Sequence, residues 1–238
     1  HGGTGWGPFG HRSFFLPLHY EPNYRYPLIV WLHSDGFNEN QVDHVMPHVS
    51  VRNYIAAGVR GIRATDSMGH RFDWHDRPAA VAAAEESVAQ TVSEATHRFS
   101  VHPSRIILAG YGSGGTMAIR IALRDPRQFA AVASLGGAMP TGSHLLSNLS
   151  QLRARRMPML WSWATSGPRF DPDRLAQDVR LAMVMQASVE IREYCGEDEM
   201  DTVTLSDLND WIMRRVVADQ STQADQRWAT SPTNYSAN

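Results

Sequence analysis

The most informative absence in this sequence is lysine. The chain of 238 residues has 22 basic side chains, and every one of them is an arginine. Without an ε-amino group the protein cannot form a pyridoxal Schiff base, use an amine nucleophile or build the phosphate site of a P-loop. The net charge is −2, and the arginines are scattered apart from Arg153, Arg155 and Arg156, so we also predict no nucleic-acid partner.

Cysteine and long apolar runs are scarce as well. Cys195 is the only cysteine, so no intrachain disulfide can form, and we expect a buried, unreactive thiol. The longest apolar runs are too short to cross a bilayer, which predicts no membrane span. The chain starts at His1 rather than at methionine, which leaves its compartment open, with the cytoplasm slightly favoured. We predict no cofactor.

Composition divides the chain into three predicted segments. A glycine-rich tail over residues 1–12 and a polar tail over residues 217–238 contain too little apolar surface to fold alone. Residues 13–216 lie between them, and 42% hydrophobic residues at this length fit one domain. We expect the tails to pack on the domain or on a neighbouring subunit, which predicts a homo-oligomer or a larger protein assembly.

Strand-like and helix-like segments alternate between the tails, which is typical of an α/β fold with a mostly parallel sheet and helices on both faces. Predicted strands cover residues 13–18, 26–33, 59–64, 105–109, 130–135, 158–163 and 189–194. Predicted helices cover residues 78–99, 116–123 and 172–187, the last with Leu175, Val179, Ala182 and Met183 inward. A C-terminal helix is predicted to bury Leu205, Leu208, Trp211, Ile212 and Val216.

A glycine-rich turn between a predicted strand and a predicted helix carries the chemistry. It reads Ala109-Gly-Tyr-Gly-Ser-Gly-Gly115. This turn resembles the nucleophile elbow of the phospholipase/carboxylesterase family of α/β-hydrolases, the small esterases and acyl-protein thioesterases, where the run is Ala-Gly-Phe-Ser-Gln-Gly-Gly. The resemblance continues through residues 121–132 and 136–140. It covers roughly residues 13–216 and implies an α/β-hydrolase fold.

The same resemblance assigns the family's functional positions, and it places glycine where the nucleophile belongs. The nucleophile position falls on Gly112, and Ser113 takes the neighbouring position whose backbone N–H serves the oxyanion hole. The acid position falls on Gly167 and the histidine position on Asp198. All 11 histidines lie at or before His144. The resemblance therefore implies a non-catalytic, carboxylesterase-like protein that serves as a binding or assembly subunit.

Two other interpretations stay open. A register shifted by one residue makes Ser113 the nucleophile, flanked by Tyr111, with an imidazole from His33, His70 or His75; the protein is then a divergent carboxylesterase or thioesterase for small acyl esters. In the other interpretation, the vestigial pocket senses a small ligand.

The pocket itself is expected where loops meet at the carboxyl ends of the strands. The run Leu32-His-Ser-Asp-Gly36 resembles the family loop whose backbone amides help form the oxyanion hole. Side chains expected at this pocket are His33, Ser34, Asp35, Trp74, Tyr111 and Ser113, with Trp74 and Tyr111 expected to fill space by packing. A small acyl or aromatic molecule is the expected ligand.

Two histidine groups raise the question of a metal site. His44 and His48 are four residues apart, but Pro47 is expected to interrupt their helix. His70 and His75 are close in sequence to Asp76, but no third ligand has diagnostic spacing. We predict no metal.

Overall fold

The computed structural model describes residues 11–142, 147–168, 170–197 and 200–218. Most of the two predicted tails lies outside these residues, so their packing stays a prediction. The strands are β1 (Arg12–Phe15), β2 (Tyr26–Leu32), β3 (Ile55–Val59), β4 (Arg63–Ala64), β5 (Phe72–Asp73), β6 (Val101–Tyr111), β7 (Ala131–Leu135), β8 (Pro158–Ala164) and β9 (Ser188–Tyr194). Seven of them form one sheet in the order β1-β3-β2-β6-β7-β8-β9, in which only β1 is antiparallel to its neighbour.

Helices cover both faces of this sheet. They are α1 (Gln41–Val49), α2 (Pro78–Arg98), α3 (Ser113–Arg124), α4 (Leu149–Arg155), α5 (Pro172–Val184) and α6 (Thr202–Ile212), which continues as a π-helical segment, Met213–Ala218. Helices α2, α3 and α5 pack on one face, and α1 and α6 pack on the other. Among the described helices, none is long and apolar enough to cross a membrane.

Strand β2 shows why the sheet is doubly covered. All seven of its residues are buried. Leu28, Val30 and Leu32 belong to the core on the α2 face, whereas Ile29 and Trp31 belong to the core on the α1 face. A strand that is apolar on both sides can only be satisfied by two layers of helices.

The prediction of a sheet strand over residues 59–64 was wrong. The sheet strand is Ile55–Val59, and residues 63–64 form β4, which pairs only with β5 in a short ribbon. Small residues in β3 allow α1 to approach, since a Cβ atom on Gly58 would lie 1.9 Å from the Glu39 carbonyl oxygen. That close approach is a tertiary contact, which the local pattern does not show.

Helix α1 was not predicted, because Pro47 was expected to interrupt it. Pro47 lies inside the helix near its C-terminal end, where its missing N–H costs one intrahelical bond. The helix closes with a 2.9 Å bond from the Ser50 N–H to the Met46 carbonyl oxygen. Buried Val42 and Val45, with Met46, hold it against the sheet.

Two predictions of burial were also wrong. Met183 was expected to face inward, but it is 72% exposed, because the buried face of α5 is formed by Leu175, Asp178 and Ala182, and Met183 lies about 100° around the helix from Ala182. Cys195 was expected to be a buried thiol, but it is exposed in the loop after β9. Helix α5 otherwise begins as predicted, with the Asp171 carboxylate accepting from the N–H groups of Asp173 and Arg174.

Candidate active site

The turn between β6 and α3 consists of a single residue outside regular structure, Gly112. Its φ of 56° and ψ of −123° are disfavoured for residues with a Cβ atom. Its N–H donates to the Leu135 carbonyl oxygen at 2.8 Å, and its own carbonyl oxygen accepts from the Thr116 N–H at 3.1 Å. We call Gly112 and the adjoining ends of β6 and α3 the elbow.

Close backbone approaches surround the elbow. A Cβ atom on Gly114 would lie 2.2 Å from the Leu32 carbonyl oxygen and 2.3 Å from that of His33. A Cβ atom on Gly137 would lie 2.5 Å from the Gly112 carbonyl oxygen. The start of α3 therefore packs directly on the segment after β2 and on the segment after β7, so three loops meet at one point.

Ser113 is the first residue of α3. Its Oγ atom is buried and has no hydrogen-bond partner in the described part of the chain. A serine nucleophile needs a base within about 3 Å of its oxygen. No imidazole in the described ranges forms a hydrogen bond with Ser113 Oγ.

His33 is fully buried, and both of its ring nitrogens contact backbone groups. Nδ1 lies 2.7 Å from the Ser34 carbonyl oxygen, and Nε2 accepts from the Gly61 N–H at 2.8 Å. This arrangement requires a neutral ring with its proton on Nδ1. Burial is the largest effect on the pKa of His33 and lowers it below its ordinary value. His33 thus ties two loops together and has no free nitrogen to act as a base.

Gln41 uses part of the loop expected to form an oxyanion hole. Its side-chain oxygen accepts from the Ser34 N–H at 3.1 Å and from Trp31 Nε1 at 3.0 Å, and its Nε2 donates to Ser34 Oγ at 3.0 Å. Asp35, which follows Ser34, is exposed, and its carboxylate is near enough to raise the pKa of His33 slightly against the larger effect of burial.

The two expected pocket aromatics lie on opposite faces of the sheet. Trp74 packs in the core of the α2 face, and its Nε1 donates to the His33 carbonyl oxygen at 2.8 Å. Tyr111 packs in the core of the α1 face. Both side chains are less than 10% exposed, which supports packing over ligand contact.

The loop after β8 contains Gly167, the position where the resemblance expects an acid. The Gly167 N–H donates to the Ala164 carbonyl oxygen at 3.0 Å, and the Ser166 N–H donates to the Gly196 carbonyl oxygen at 2.9 Å. A Cβ atom on Gly167 would lie 2.9 Å from the Glu197 carbonyl oxygen, so a larger residue requires the backbone to move. Asp198, the expected histidine position, lies outside the described residues.

Neither of the remaining candidate histidines, His70 and His75, forms a hydrogen bond with Ser113 Oγ in the described part of the chain. His70 is exposed, and its backbone N–H donates to Asp66 Oδ1 at 2.9 Å. His75 lines a separate cavity of about 500 Å³ together with Ile62, Arg77, Ala79 and Ala80. Within the described ranges, no three His, Cys, Asp or Glu side chains are grouped to hold a metal ion.

Sequence reasoning missed one ion pair beside the site, between the buried Asp178 and the partly exposed Arg174. Asp178 on α5 accepts from the Met139 N–H at 2.7 Å, while Arg174 contacts Asp178 at 3.1 Å and donates to the Met139 carbonyl oxygen at 2.8 Å. Burial raises the pKa of Asp178, with the Met139 N–H and Arg174 acting in the opposite direction. The pair holds the loop after β7 beside the elbow, and the i,i+4 spacing of Arg174 and Asp178 was its only signal.

A doubly covered, mostly parallel sheet with a strand–glycine–helix elbow defines the class of α/β-hydrolase folds. The model of the phospholipase/carboxylesterase family matches residues 38–212. The chain belongs to that family, as the resemblance of the elbow predicted.

Solved structures agree on the fold. A carboxylesterase from Bacillus cereus has a TM-score of 0.68 at 13% identity, with 87% of this chain and 95% of that chain covered. A carboxylesterase from Mesorhizobium loti has a TM-score of 0.63 at 15% identity, with 78% and 88% covered. A phospholipase/carboxylesterase from Dyadobacter fermentans has a TM-score of 0.59 at 13% identity, with 89% and 100% covered. No curated protein sequence matches this chain.

Proposed function

We propose that this protein is a non-catalytic member of the phospholipase/carboxylesterase family that acts as a binding or assembly subunit. The observation that carries the proposal is Gly112 at the tip of the elbow. In an α/β-hydrolase the strained residue of this turn is the serine that projects its oxygen above the sheet. Here the backbone has a positive φ at a residue with no side chain.

The lack of a base supports the proposal. The residues beyond His144 contain no histidine, although the base of this fold follows the nucleophile and the acid in the chain. His33 has both ring nitrogens bonded to backbone groups, and burial disfavours its protonation. A hydrolase without base and nucleophile retains only about 10³- to 10⁴-fold acceleration over water.

The cavity lined by Ile62 and His75 is the proposed ligand site. It borders the loops that hold His33, because Gly61 and Trp74 both contact that residue. Ala79 and Ala80 supply apolar surface, and Arg77 supplies a positive charge. These features suit a small acyl or aryl carboxylate, with its apolar part on the alanines and its carboxylate at Arg77.

An assay of p-nitrophenyl ester hydrolysis tests the loss of catalysis. We expect at most a slow residual rate, equal in the natural chain, in Ser113→Ala and in Gly112→Ser, since restoring a hydroxyl does not supply a base. Hydrolysis by the natural chain that Ser113→Ala abolishes would sink the proposal.

That outcome would favour the second candidate, a divergent carboxylesterase or thioesterase with Ser113 as nucleophile. The buried Ser113 Oγ beside the elbow tip is the observation that keeps this candidate in the test. It requires covalent labelling of Ser113 by a fluorophosphonate probe, read by mass spectrometry.

Thermal-shift measurements with aryl carboxylates test the ligand site. We expect saturable stabilisation of the natural chain, and a weaker response in Arg77→Gln. The exposed Arg71 does not line the cavity, so Arg71→Gln is the control that removes a charge elsewhere on the surface. The same response in all three proteins would remove Arg77 from the site.

A further inference from the structure

A second cavity, of about 440 Å³, lies at the amino ends of the parallel strands, whereas the elbow lies at their carboxyl ends. It opens between the amino ends of β8 and β9, under the π-helical segment that follows α6. Its lining residues are Arg156, Pro158, Gln186, Ala187, Ser188 and Arg215. The donors of this cavity are two guanidinium groups, one amide and one hydroxyl, and no carboxylate lines it within the described ranges.

The two lining arginines have little to neutralise them. Arg156 makes no ion pair or side-chain hydrogen bond in the described part of the chain, and Arg215 donates from Nη2 to Ser188 Oγ. Arg215 Nε is buried without a hydrogen-bond partner among the described residues. An unsatisfied buried donor and two like charges at one cavity both cost folding stability, which favours a role in binding.

Nearby carboxylates are already used by other arginines. Glu190 accepts from Arg192 at 2.7 Å and lies 3.5 Å from Arg214. Asp207 lies 3.2 Å from Arg192, and Glu190 also acts electrostatically on Arg215. Two carboxylates thus serve three arginines, and Arg156 has no carboxylate partner in the described residues, so positive charge is in excess around the cavity.

The Arg156 backbone ends α4, but bonding to helix carbonyl oxygens does not account for its side chain. Arginines near helix C-termini commonly bond to carbonyl oxygens and offset the helix dipole. Arg153 does this with the Val184 carbonyl oxygen at 3.1 Å, and Arg155 reaches the Phe129 carbonyl oxygen at 3.3 Å. Arg156 makes no such contact in the described residues, so its charge remains available to a ligand.

Two helix C-termini and a π-helical segment surround the cavity. Among the described residues only three non-glycine residues have positive φ, and two of them, Arg156 at 46° and Gln186 at 54°, line it. Both positive φ values are ordinary at helix C-termini, since Arg156 is the left-handed C-cap of α4 and Gln186 directly follows the C-cap of α5. Arg215 belongs to a π-helical segment. Such segments are rare in proteins, and those that occur often lie at functional sites. The π-helical segment is therefore the unusual backbone feature at this cavity.

We propose that this cavity binds a dianionic phosphate group, either as inorganic phosphate or as a small phosphate monoester. Two guanidinium groups match the charge of the dianion, and their planar donor sets suit its oxygens. Pro158 and Ala187 offer apolar surface to the organic part of a monoester. This proposal is independent of the proposed function at the elbow, because the two sites lie at opposite ends of the parallel strands.

Thermal-shift titrations of the full chain at constant ionic strength test the site, with inorganic phosphate and phenyl phosphate as probes. We expect a melting temperature that rises and saturates at millimolar probe. Arg156→Gln and Arg215→Gln should each raise the half-saturation concentration about 10-fold or more, as expected for a charged hydrogen bond. Tighter binding of phenyl phosphate would assign the cavity to a monoester, and equal binding would assign it to the free ion.

The matched control is Arg127→Gln, which removes an exposed charge from the loop before β7. This loop also lies at the amino ends of the strands, but Arg127 does not line the cavity. Its half-saturation concentration should equal that of the natural chain. Arg156 is exposed, so Arg156→Gln keeps the test decisive even if Arg215→Gln does not fold. Stabilisation that is absent, or that rises linearly and equally in all variants as bulk salt effects do, would overturn the proposal.

Discussion

The elbow and the loop after β8 differ in how their backbones are held. At the elbow, Gly114 lies where any Cβ atom would collide with the backbone after β2, and Gly137 does the same against Gly112. The loop after β8 is joined by backbone hydrogen bonds to β9 and to the loop after it. A Cβ atom on Gly167 would lie 2.9 Å from the Glu197 carbonyl oxygen, a looser approach than at Gly114, and a Cβ atom on Gly196 would meet nothing within 4 Å.

The difference separates folding requirements from chemical ones. The elbow glycines are required because a strand, a helix and two neighbouring loops approach closely, whatever residue stands at the tip. The identity of the tip residue is a chemical requirement, which the fold does not impose. A family member can therefore keep the shape of the elbow while its tip residue is glycine.

Gly114→Ala is the variant expected to break the elbow. Its methyl group would lie 2.2 Å from the Leu32 carbonyl oxygen, so the free energy of unfolding should fall by about 3 kcal/mol. Chemical denaturation measures this change. Gly196→Ala is the control and should change the stability by less than about 1 kcal/mol; equal losses in the two variants would contradict the comparison.

His33→Gln tests the loop that the elbow packs against. The variant loses the acceptor of the Gly61 N–H and the donor to the Ser34 carbonyl oxygen. The free energy of unfolding should fall by about 2 kcal/mol, as measured by chemical denaturation at pH 8.

The same variant carries a pH prediction. Burial lowers the pKa of folded His33 below its ordinary value of 6.5, so below pH 6.5 the unfolded chain binds a proton that the folded chain refuses. This contribution to stability is complete above pH 6.5 and is lost as the pH falls. His33→Gln should flatten the decline on acidification, whereas His44→Gln, at an exposed position, should leave it unchanged.

Gly112→Ser sharpens the distinction between shape and chemistry. The positive φ should lower the free energy of unfolding by about 1–2 kcal/mol, a smaller loss than that of Gly114→Ala. Denaturation measures the loss, and a larger effect than that of Gly114→Ala would show that the tip is as crowded as the start of the helix.

The smallest effect is expected at Ser113. Because Ser113 Oγ has no hydrogen-bond partner in the described part of the chain, Ser113→Ala should change the stability by less than about 0.5 kcal/mol. Ser134→Ala is the matched control: the buried Ser134 Oγ donates to the Gly137 carbonyl oxygen at 3.0 Å, and its loss should cost about 1 kcal/mol. Denaturation of both variants side by side measures the difference.

Much of the fold was predictable from local patterns. The apolar run of β2, the proline that begins α2 and the Asp171 cap of α5 all mark elements within a few residues of their observed bounds. The shifted strand over residues 55–59 and the helix α1 were missed, because small residues and a proline weaken a local signal that close packing then overrides.

The candidate site was predictable in its position but not in its bonding. The turn at Gly112 and the loop at His33 were both identified from sequence motifs. The pairing of Asp178 with Arg174 around Met139 was not, because it joins a helix to a loop that lies far from it in sequence.

The sequence by itself determined which chemical groups are available. It contains no lysine, no histidine beyond His144, and glycine at positions 112 and 167. Only the tertiary structure decided which of the remaining groups are already in use. His33 is bonded through Gly61, 28 residues away in the chain, while Arg156 remains unpaired in the described residues beside a cavity. Composition limits chemistry directly, whereas hydrogen bonds and burial depend on distant segments that meet only in the folded chain.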